Sequence, residues 1–363
     1  MRKYAKHWRD SASLIVVARN EGNVKDADGF NYKVLVFKRT EKTSFLPNHI
    51  VFPGGTFDPQ DESPRWLSLF AQQGIPEEAV RSVATVSGPR PYIFQTTAGD
   101  TLDRNLSVRL CALRECFEEL GVLLVTDRHA SSAPASATGF SLAKDGFDVV
   151  TWQKDVHDGR KTFPELCAEL GETPDLWGLY EWSTWITPTH FFKKRFETAF
   201  FLAALNNIPP VFPEEYEVQE YMWESPRTLL DAHAEGNLWL APPQAYELQR
   251  LSHVHDIDAI VQMAKGRKFN GTTAFCPIVY NVADGFIDVL PGDDFYPQDY
   301  DFVSGNGDLN KFVHLSAQEF SDRTRNLHRI VFQGLNNQTF LHNGRPVDGH
   351  LHVCGSNTRP SKL

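Results

Sequence analysis

Apolar positions recur along this chain with two different periods. The runs SLIVVA (13–18) and KVLVFK (33–38) have the length and β-branched content of buried strands, and the polar stretch EGNVKDADGFN between them supplies turn residues. A third run, 49–52, ends at Pro53-Gly54-Gly55, where glycines permit backbone that β-carbons forbid. From 105 to 120 the period lengthens. Leu106, Leu110, Leu113, Phe117 and Leu120 are spaced by 4, 3, 4 and 3, which predicts a helix with one core face. Gly121 suits a left-handed cap, and VLLV (122–125) reads as the next strand.

The remaining pattern is coarser. A short helix is expected at 64–71, a surface excursion at 72–104, a low-complexity linker at 131–139 and mainly helix at 147–171. Residues 196–205 (FETAFFLAAL) read as a buried strand, although the period alone also permits a helix. A strand at 221–223 precedes a helix at 225–236 capped by Ser225, and a second helix at 242–254 starts with two prolines. Beyond 270, β-like runs such as AFCPIVYNV and RIVFQGL alternate with turns, and no internal repeat is visible.

A length of 363 residues suggests about two domains, or one with large insertions. The formal charge of −10 gives no global basic field for nucleic acid or anionic lipid. No apolar run approaches the roughly 20 residues of a membrane span, and LIVVA near the start is too short for a signal peptide. Five cysteines without a CxxC pair point to free or buried thiols in a reducing compartment. The terminal Ser361, Lys362 and Leu363 spell the peroxisomal import address, so an import receptor is an expected partner and the peroxisome the expected location.

Charge changes the picture most at RECFEELGV (114–122). With Leu113 at zero on the helical wheel, Phe117 and Leu120 fall near 40° and −20°, while Glu115, Glu118 and Glu119 fall near 200°, 140° and 240°. Three carboxylates therefore gather opposite the core stripe. Their repulsion costs an isolated helix only about 0.2–0.5 kcal/mol per pair. A solvated glutamate-rich face and a site for a hard divalent cation such as Mg²⁺ or Mn²⁺ are both open on that basis.

The arrangement resembles the Nudix box, G-x5-E-x7-R-E-U-x-E-E-x-G-U. Arg114-Glu115-Cys116-Phe117-Glu118-Glu119-Leu120-Gly121-Val122 is similar to its second half, and FPGGTFDPQDE to its first. Asp61 stands where the first glutamate is usual, with Glu62 beside it, and either carboxylate could serve there. Residues 62–113 number 52 where the box has 7, so 45 are inserted. Loop closure grows costlier only logarithmically with length, so such a split is tolerable. The split pattern, together with LYEWSTWITPTHFFKKRFETAFFLAAL and the terminal tripeptide, resembles the peroxisomal acyl-coenzyme A diphosphatases of the Nudix motif 19 type. Two further departures are Glu197, where aspartate is usual, and Asn48, where glycine is frequent.

That resemblance implies an α/β/α sandwich around a mixed sheet at 8–240, interrupted by an insertion at about 62–105. A C-terminal extension (241–360) is expected to pack on it and shape the acyl side of the pocket. It implies metal-dependent hydrolysis of the diphosphate of coenzyme A and acyl-CoA, giving 3′,5′-ADP and (acyl-)4′-phosphopantetheine. Glu115, Glu118 and Glu119 would hold Mg²⁺ or Mn²⁺, and Arg114 would orient a carboxylate through a bidentate pair. Gly54 and Gly55 would offer a backbone carbonyl or amide to the site. Lys38 and Arg39, or Lys193, Lys194 and Arg195, are candidate contacts to substrate phosphate. The general base could be Glu217, Glu220 or Glu119 itself. His253, His255, His350 and His352 lack partner cysteines, and no metal is assigned to them. A diphosphatase for NADH or nucleotide sugars is the alternative enzyme, although the zinc cysteines and SQPWPFPxS element of the NADH type are absent. A non-catalytic nucleotide-binding module is the alternative from another class, disfavoured by the intact helix glutamates.

Overall fold

The LIVVA run forms the centre of β1 (Arg9–Arg19), buried on both faces. The computed structural model describes residues 8–96, 99–126, 139–190, 194–305, 308–334, 336–353 and 355–356. β1 pairs antiparallel with β2 (Tyr32–Arg39), and β3 (Ile50–Val51) continues the sheet beyond β2. β4 (Gly54–Thr56) folds back on the start of β1, with Gly54 opposite Ser13. A small hairpin of β5 (Leu124–Val125) and β6 (Leu142–Ala143) is separate from this sheet. β7 (Tyr180–Ile186), β8 (Phe196–Leu205), β9 (Val218–Glu224) and β10 (Ala274–Phe275) complete the eight-stranded sheet, ordered β10-β7-β8-β1-β2-β3 with β4 on β1 and β9 on β2. The sheet is mixed, because β8 runs parallel to β1 and β10 parallel to β7. Residues 196–205, ambiguous by period, are thus a strand.

Alternation along β1 sends Leu14, Val16 and Ala18 to one core and Ile15 and Val17 to the other. On the first face lie α1 (Arg65–Gln72), α2 (Glu77–Arg81), α3 (Arg104–Leu120), α4 (Val149–His157) and α5 (Phe163–Leu170). The expected stripe of Leu106, Leu110, Leu113, Phe117 and Leu120 anchors α3 there. Burying each such side chain is worth about 1.5–3 kcal/mol. On the second face lie α6 (Pro226–Ala234), α7 (Pro242–Leu251) and α8 (Ile257–Gly266). This is the layered α/β arrangement expected.

The stretch 72–104 is not the surface excursion that its composition suggested. Val80, Val83, Ile93, Phe94 and Leu102 are buried in the first core. Their backbone is short helix, 3₁₀ turn and loop, so no period announces them. The two departures near the box also have structural explanations. Asn48 has φ of 62°, a left-handed conformation that asparagine tolerates in place of glycine. Glu197 is fully buried and accepts hydrogen bonds from Trp8 Nε1 and the Ile93 amide, both at 3.1 Å.

The C-terminal part forms a second, antiparallel sheet of β11 (Ile278–Val282), β12 (Gly285–Val289), β13 (His328–Phe332), β14 (Gln338–His342) and β15 (Gly355–Ser356). Ile330, Phe332 and Phe340 on one face join the core of the second helical layer. Ile287, Val289 and Val331 on the other face pack with Phe320 of α9 (Ala317–Ser321) and Phe312 in a core of their own. Cys111, Cys116, Cys167 and Cys276 are free and buried, while Cys354 and the tripeptide Ser361, Lys362 and Leu363 lie outside the described residues. Among the described residues no helix is long and apolar enough to cross a membrane.

Candidate active site

The last turn of α3 is fixed at both its edges. Gly121, at φ 67°, closes the helix by donating its amide to the Phe117 carbonyl at 2.8 Å. The carbonyls of Leu120 and Glu119 accept from the amides of Phe212 (2.8 Å) and Glu214 (2.9 Å), which ties the segment leading to Glu217 onto the helix end. Glu115, Glu118 and Glu119 are therefore carried by rigid backbone. They do not project into open solvent, as the helical wheel suggested. Side-chain exposure is 13% for Glu115 and Glu118 and 4% for Glu119.

Arg114 organises this group from behind. Its Nε and Nη2 donate to Asp61 Oδ1 and Oδ2 at 2.8 and 3.0 Å, the bidentate pair expected of it. Nη1 reaches Glu115 Oε1 at 2.9 Å and Glu118 Oε1 at 3.1 Å, and Nη2 also donates to the Thr56 carbonyl at 3.0 Å. Asp61, wholly buried, is thus the carboxylate that meets the helix from the glycine loop, and it serves as a counter-ion to arginine. Glu62 makes no such contact in the structure; its carbonyl accepts from Thr101.

The glycine loop approaches from the other side. The Gly54 amide donates to Glu119 Oε2 at 2.7 Å. A Cβ on Gly55 would lie 2.3 Å from Glu115 Oε2, and one on Gly54 would lie 2.3 Å from the Ala12 carbonyl oxygen. Only glycine lets strand β4 lie between β1 and the carboxylates. The loop thus contributes the Gly54 amide to Glu119, and its Gly55 and Thr56 carbonyls accept from Cys111 and Arg114.

The electrostatics are those of a site short of positive charge. Burial raises the Glu115 carboxyl to about 8, with Glu118 adding to the shift and Arg114 opposing it. Burial also raises Glu118, and it raises Glu119 well above the usual carboxylate range, helped by Glu115 and opposed by Arg39. The Arg114 guanidinium is lowered by burial, but Glu115 and Asp61 outweigh this and hold it well above its ordinary value. Glu119 Oε1 is buried without a hydrogen-bond partner among the described residues. Arg39 Nη1 stands 3.7 Å from it.

Among the described residues no three acidic, histidine or cysteine side chains stand in ligating geometry, and Arg114 donates to one oxygen of Glu115 and one of Glu118. The chemistry of the donor set nonetheless fits a hard divalent cation. It comprises three carboxylates, one orphaned oxygen on Glu119, and burial that penalises their charge.

These features set a pH dependence for the metal-free protein. The unfolded chain releases the Glu115 proton near 4.5, whereas the folded one keeps it until about 8. Over that window the unfolded state binds fewer protons, so stability falls as pH rises. In chelator, the melting temperature should drop between about pH 5.5 and 8, and Mg²⁺ should restore more of it at the higher pH. A Mg²⁺ effect equal at both pH values, measured by thermal melting, contradicts this.

A cavity of about 670 Å³ opens at the end of the main sheet where β1 and β8 begin. Glu115, Glu118, Glu119, Gly54, Gly55, Arg39 and Glu217 all line it. Lys38, named from the sequence, is not among its lining residues. It neighbours Arg39, but the register of β2 shifts between the two, and Lys38 pairs with Ile50 and Glu220. Glu220 is exposed and likewise off the cavity. Of the basic triplet, Lys194 lines the cavity, Arg195 turns to the Thr187 carbonyl at 2.9 Å, and Lys193 lies outside the described residues. Arg9 and His157 line it too, and sequence reasoning missed both. Arg9 begins a strand whose apolar centre drew the reading, and His157 closes α4 with no motif around it.

The comparisons bear on this geometry. A family model for the NUDT19 Nudix domain matches residues 8–251, and one for the NUDT19 C-terminal domain matches residues 279–343. The chain belongs to the NUDT19 family of Nudix hydrolases. "Acyl-coenzyme A diphosphatase NUDT19" of Homo sapiens is 34% identical over 348 residues, 91% of this chain and 90% of that protein. The protein of the same name from Gallus gallus is 30% identical over 369 residues, 98% and 97% of the two chains. Among solved structures, a NUDIX hydrolase from Alicyclobacillus acidocaldarius aligns with TM-score 0.49 and 22% identity, covering 70% of this chain and 96% of that one.

Proposed function

We propose that this chain hydrolyses the diphosphate bond of coenzyme A and its acyl esters, giving 3′,5′-ADP and (acyl-)4′-phosphopantetheine. The observation that carries this reading is the composition of a single cavity. Its walls combine the α3 carboxylates, the cations Arg9, Arg39 and Lys194, and an apolar surface including Trp185, Phe196, Phe200, Trp239, Phe286 and Phe332. A ligand with two phosphates at one end and a flexible thioester chain at the other matches that division. The full-length likeness to proteins named acyl-coenzyme A diphosphatase supports the same substrate.

Glu115, Glu118 and Glu119 would hold Mg²⁺ or Mn²⁺. When bound, such a cation offsets the diphosphate charge and lowers the pKa of a water. The protein's own contribution is positioning. The Arg114–Asp61 pair holds Glu115 and Glu118 toward the cavity. The Gly54 amide holds Glu119 by one oxygen and leaves the other for the cation or for a water proton. Glu217, linked to Glu119 through Arg39 with an Arg39 Nη2 to Glu217 Oε2 distance of 3.7 Å, is the second candidate base. Arg9 and Lys194 would meet the remaining phosphate charge, and the aromatic wall would exclude water.

The reading extends to organisation and location. Residues 8–240 would be the catalytic unit, the 45 residues inserted in the box would buttress α3, and 241–360 would form the extension shaping the acyl side. Ser361, Lys362 and Leu363 would address the protein to the peroxisome through its import receptor.

Incubating the protein with acyl-coenzyme A and Mg²⁺, with NADH and a nucleotide sugar in parallel, tests the proposal by chromatography. Expected are 3′,5′-ADP and the acyl phosphopantetheine, with slower cleavage of the other two. Absence of 3′,5′-ADP, or faster cleavage of NADH, refutes it.

A further inference from the structure

Asp288 is a carboxyl that the hydrolytic machinery does not use. It stands on β12, 4% exposed, and lines the same cavity as the α3 glutamates. Its register neighbours are Val279 and Ile330, and on its own face Phe286 stacks on Phe332 with centroids 4.3 Å apart. Its Oδ1 has no hydrogen-bond partner among the described residues. Burial raises its carboxyl to about 7, and no neighbouring charge among the described residues contributes.

A buried polar atom without a partner is destabilising in a chain that folds alone, and a ligand donor removes that penalty. A second such atom lines the cavity. Gln244, 7% exposed, has no partner for its Oε1 among the described residues; it is the third residue of α7, after Pro242 and Pro243.

The ligand chemistry follows from the pair. One member is a neutral amide, and the other is a carboxyl near its neutral point among apolar side chains. A cationic ligand would gain charge attraction only from the ionised carboxylate, and it would lose its hydration among apolar side chains. Secondary amides satisfy both residues in either protonation state, since each amide carries one donor and one acceptor. We propose that Asp288 and Gln244 form an amide-recognising subsite that holds the pantetheine arm, whose two secondary amides lie between the diphosphate and the sulfur. This rests on the substrate reading above and gives the C-terminal sheet a part in choosing that substrate.

The test compares coenzyme A with a synthetic diphosphate carrying the same 3′-phosphoadenosine but a plain alkyl chain. Asp288→Leu should raise KM for coenzyme A about tenfold, with kcat within about twofold, and leave KM for the alkyl compound unchanged. Gln244→Leu should act in the same direction. Asp288→Asn, which keeps an acceptor, should fall between wild type and Asp288→Leu, and it supplies the same comparison should the leucine variant fail to fold. The melting temperature of Asp288→Leu should be no lower than wild type, since an apolar group replaces an unpartnered carboxyl. Wild type active on coenzyme A with KM unmoved in the variants, or with both substrates weakened equally, overturns the subsite. Wild type inactive on coenzyme A overturns the substrate reading, and this one with it.

Discussion

Glu119→Gln should lower kcat for acyl-coenzyme A by at least about a hundredfold while changing substrate affinity by no more than a few-fold. Glutamine keeps the volume and can still accept from the Gly54 amide, now 2.7 Å from Glu119 Oε2. It cannot supply negative charge on the second oxygen. That oxygen, Glu119 Oε1, is buried without a hydrogen-bond partner among the described residues. A buried carboxylate in that state is costly to ionise, as its raised pKa records, and is a strong base and ligand once ionised. Steady-state kinetics and calorimetric binding of substrate check the two halves separately. Full activity in the variant would remove Glu119 from the chemistry.

Arg114→Leu should cost about 3–5 kcal/mol of stability and abolish turnover. The removed guanidinium is the bidentate partner of Asp61, which is 0% exposed, and the tether of Glu115 and Glu118. Leucine leaves Asp61 charged and alone, or forces it to take up a proton. Asp61→Leu in the same chain should recover part of the stability, because the uncompensated charge is gone, but none of the activity, because the tether is still missing. Denaturant unfolding reads the first effect and product formation the second. A stable, inactive single variant would mean that Asp61 finds another partner; a stable, active one would contradict the role given to Arg114.

How far the sequence revealed this protein varied with the kind of signal. Strong periods were readable: the Leu106-to-Leu120 stripe anchors α3, and the LIVVA run is the doubly buried part of β1. The helix glutamates, Arg114 and the glycine pair stood out through their likeness to the two halves of the Nudix box, each half being a local stretch of chain. What depends on distant chain segments was not. Asp61 could be distinguished from Glu62 only once Arg114 was seen to reach it. Ile93, Phe94 and Leu102 lie in aperiodic backbone, so their burial left no pattern. Lys38 and Arg39 are adjacent in sequence, and only the three-dimensional strand decides which one faces the cavity. α8 is a different case, since Ile257, Ile260, Val261 and Ala264 have helical spacing behind an Asp256 cap, yet the reading of the sequence passed over it. Asp288 was unreadable, because a single aspartate on a strand is unremarkable until its partners are found missing.

The most direct test is an anomalous difference map from crystals soaked in Mn²⁺ and collected at the manganese edge. The expected result is a peak beside the last turn of α3 within ligating distance of oxygens from Glu115, Glu118 and Glu119, with Arg114 withdrawn to Asp61. A cavity without manganese in crystals of protein that cleaves acyl-coenzyme A, or a peak held by other side chains, would contradict it.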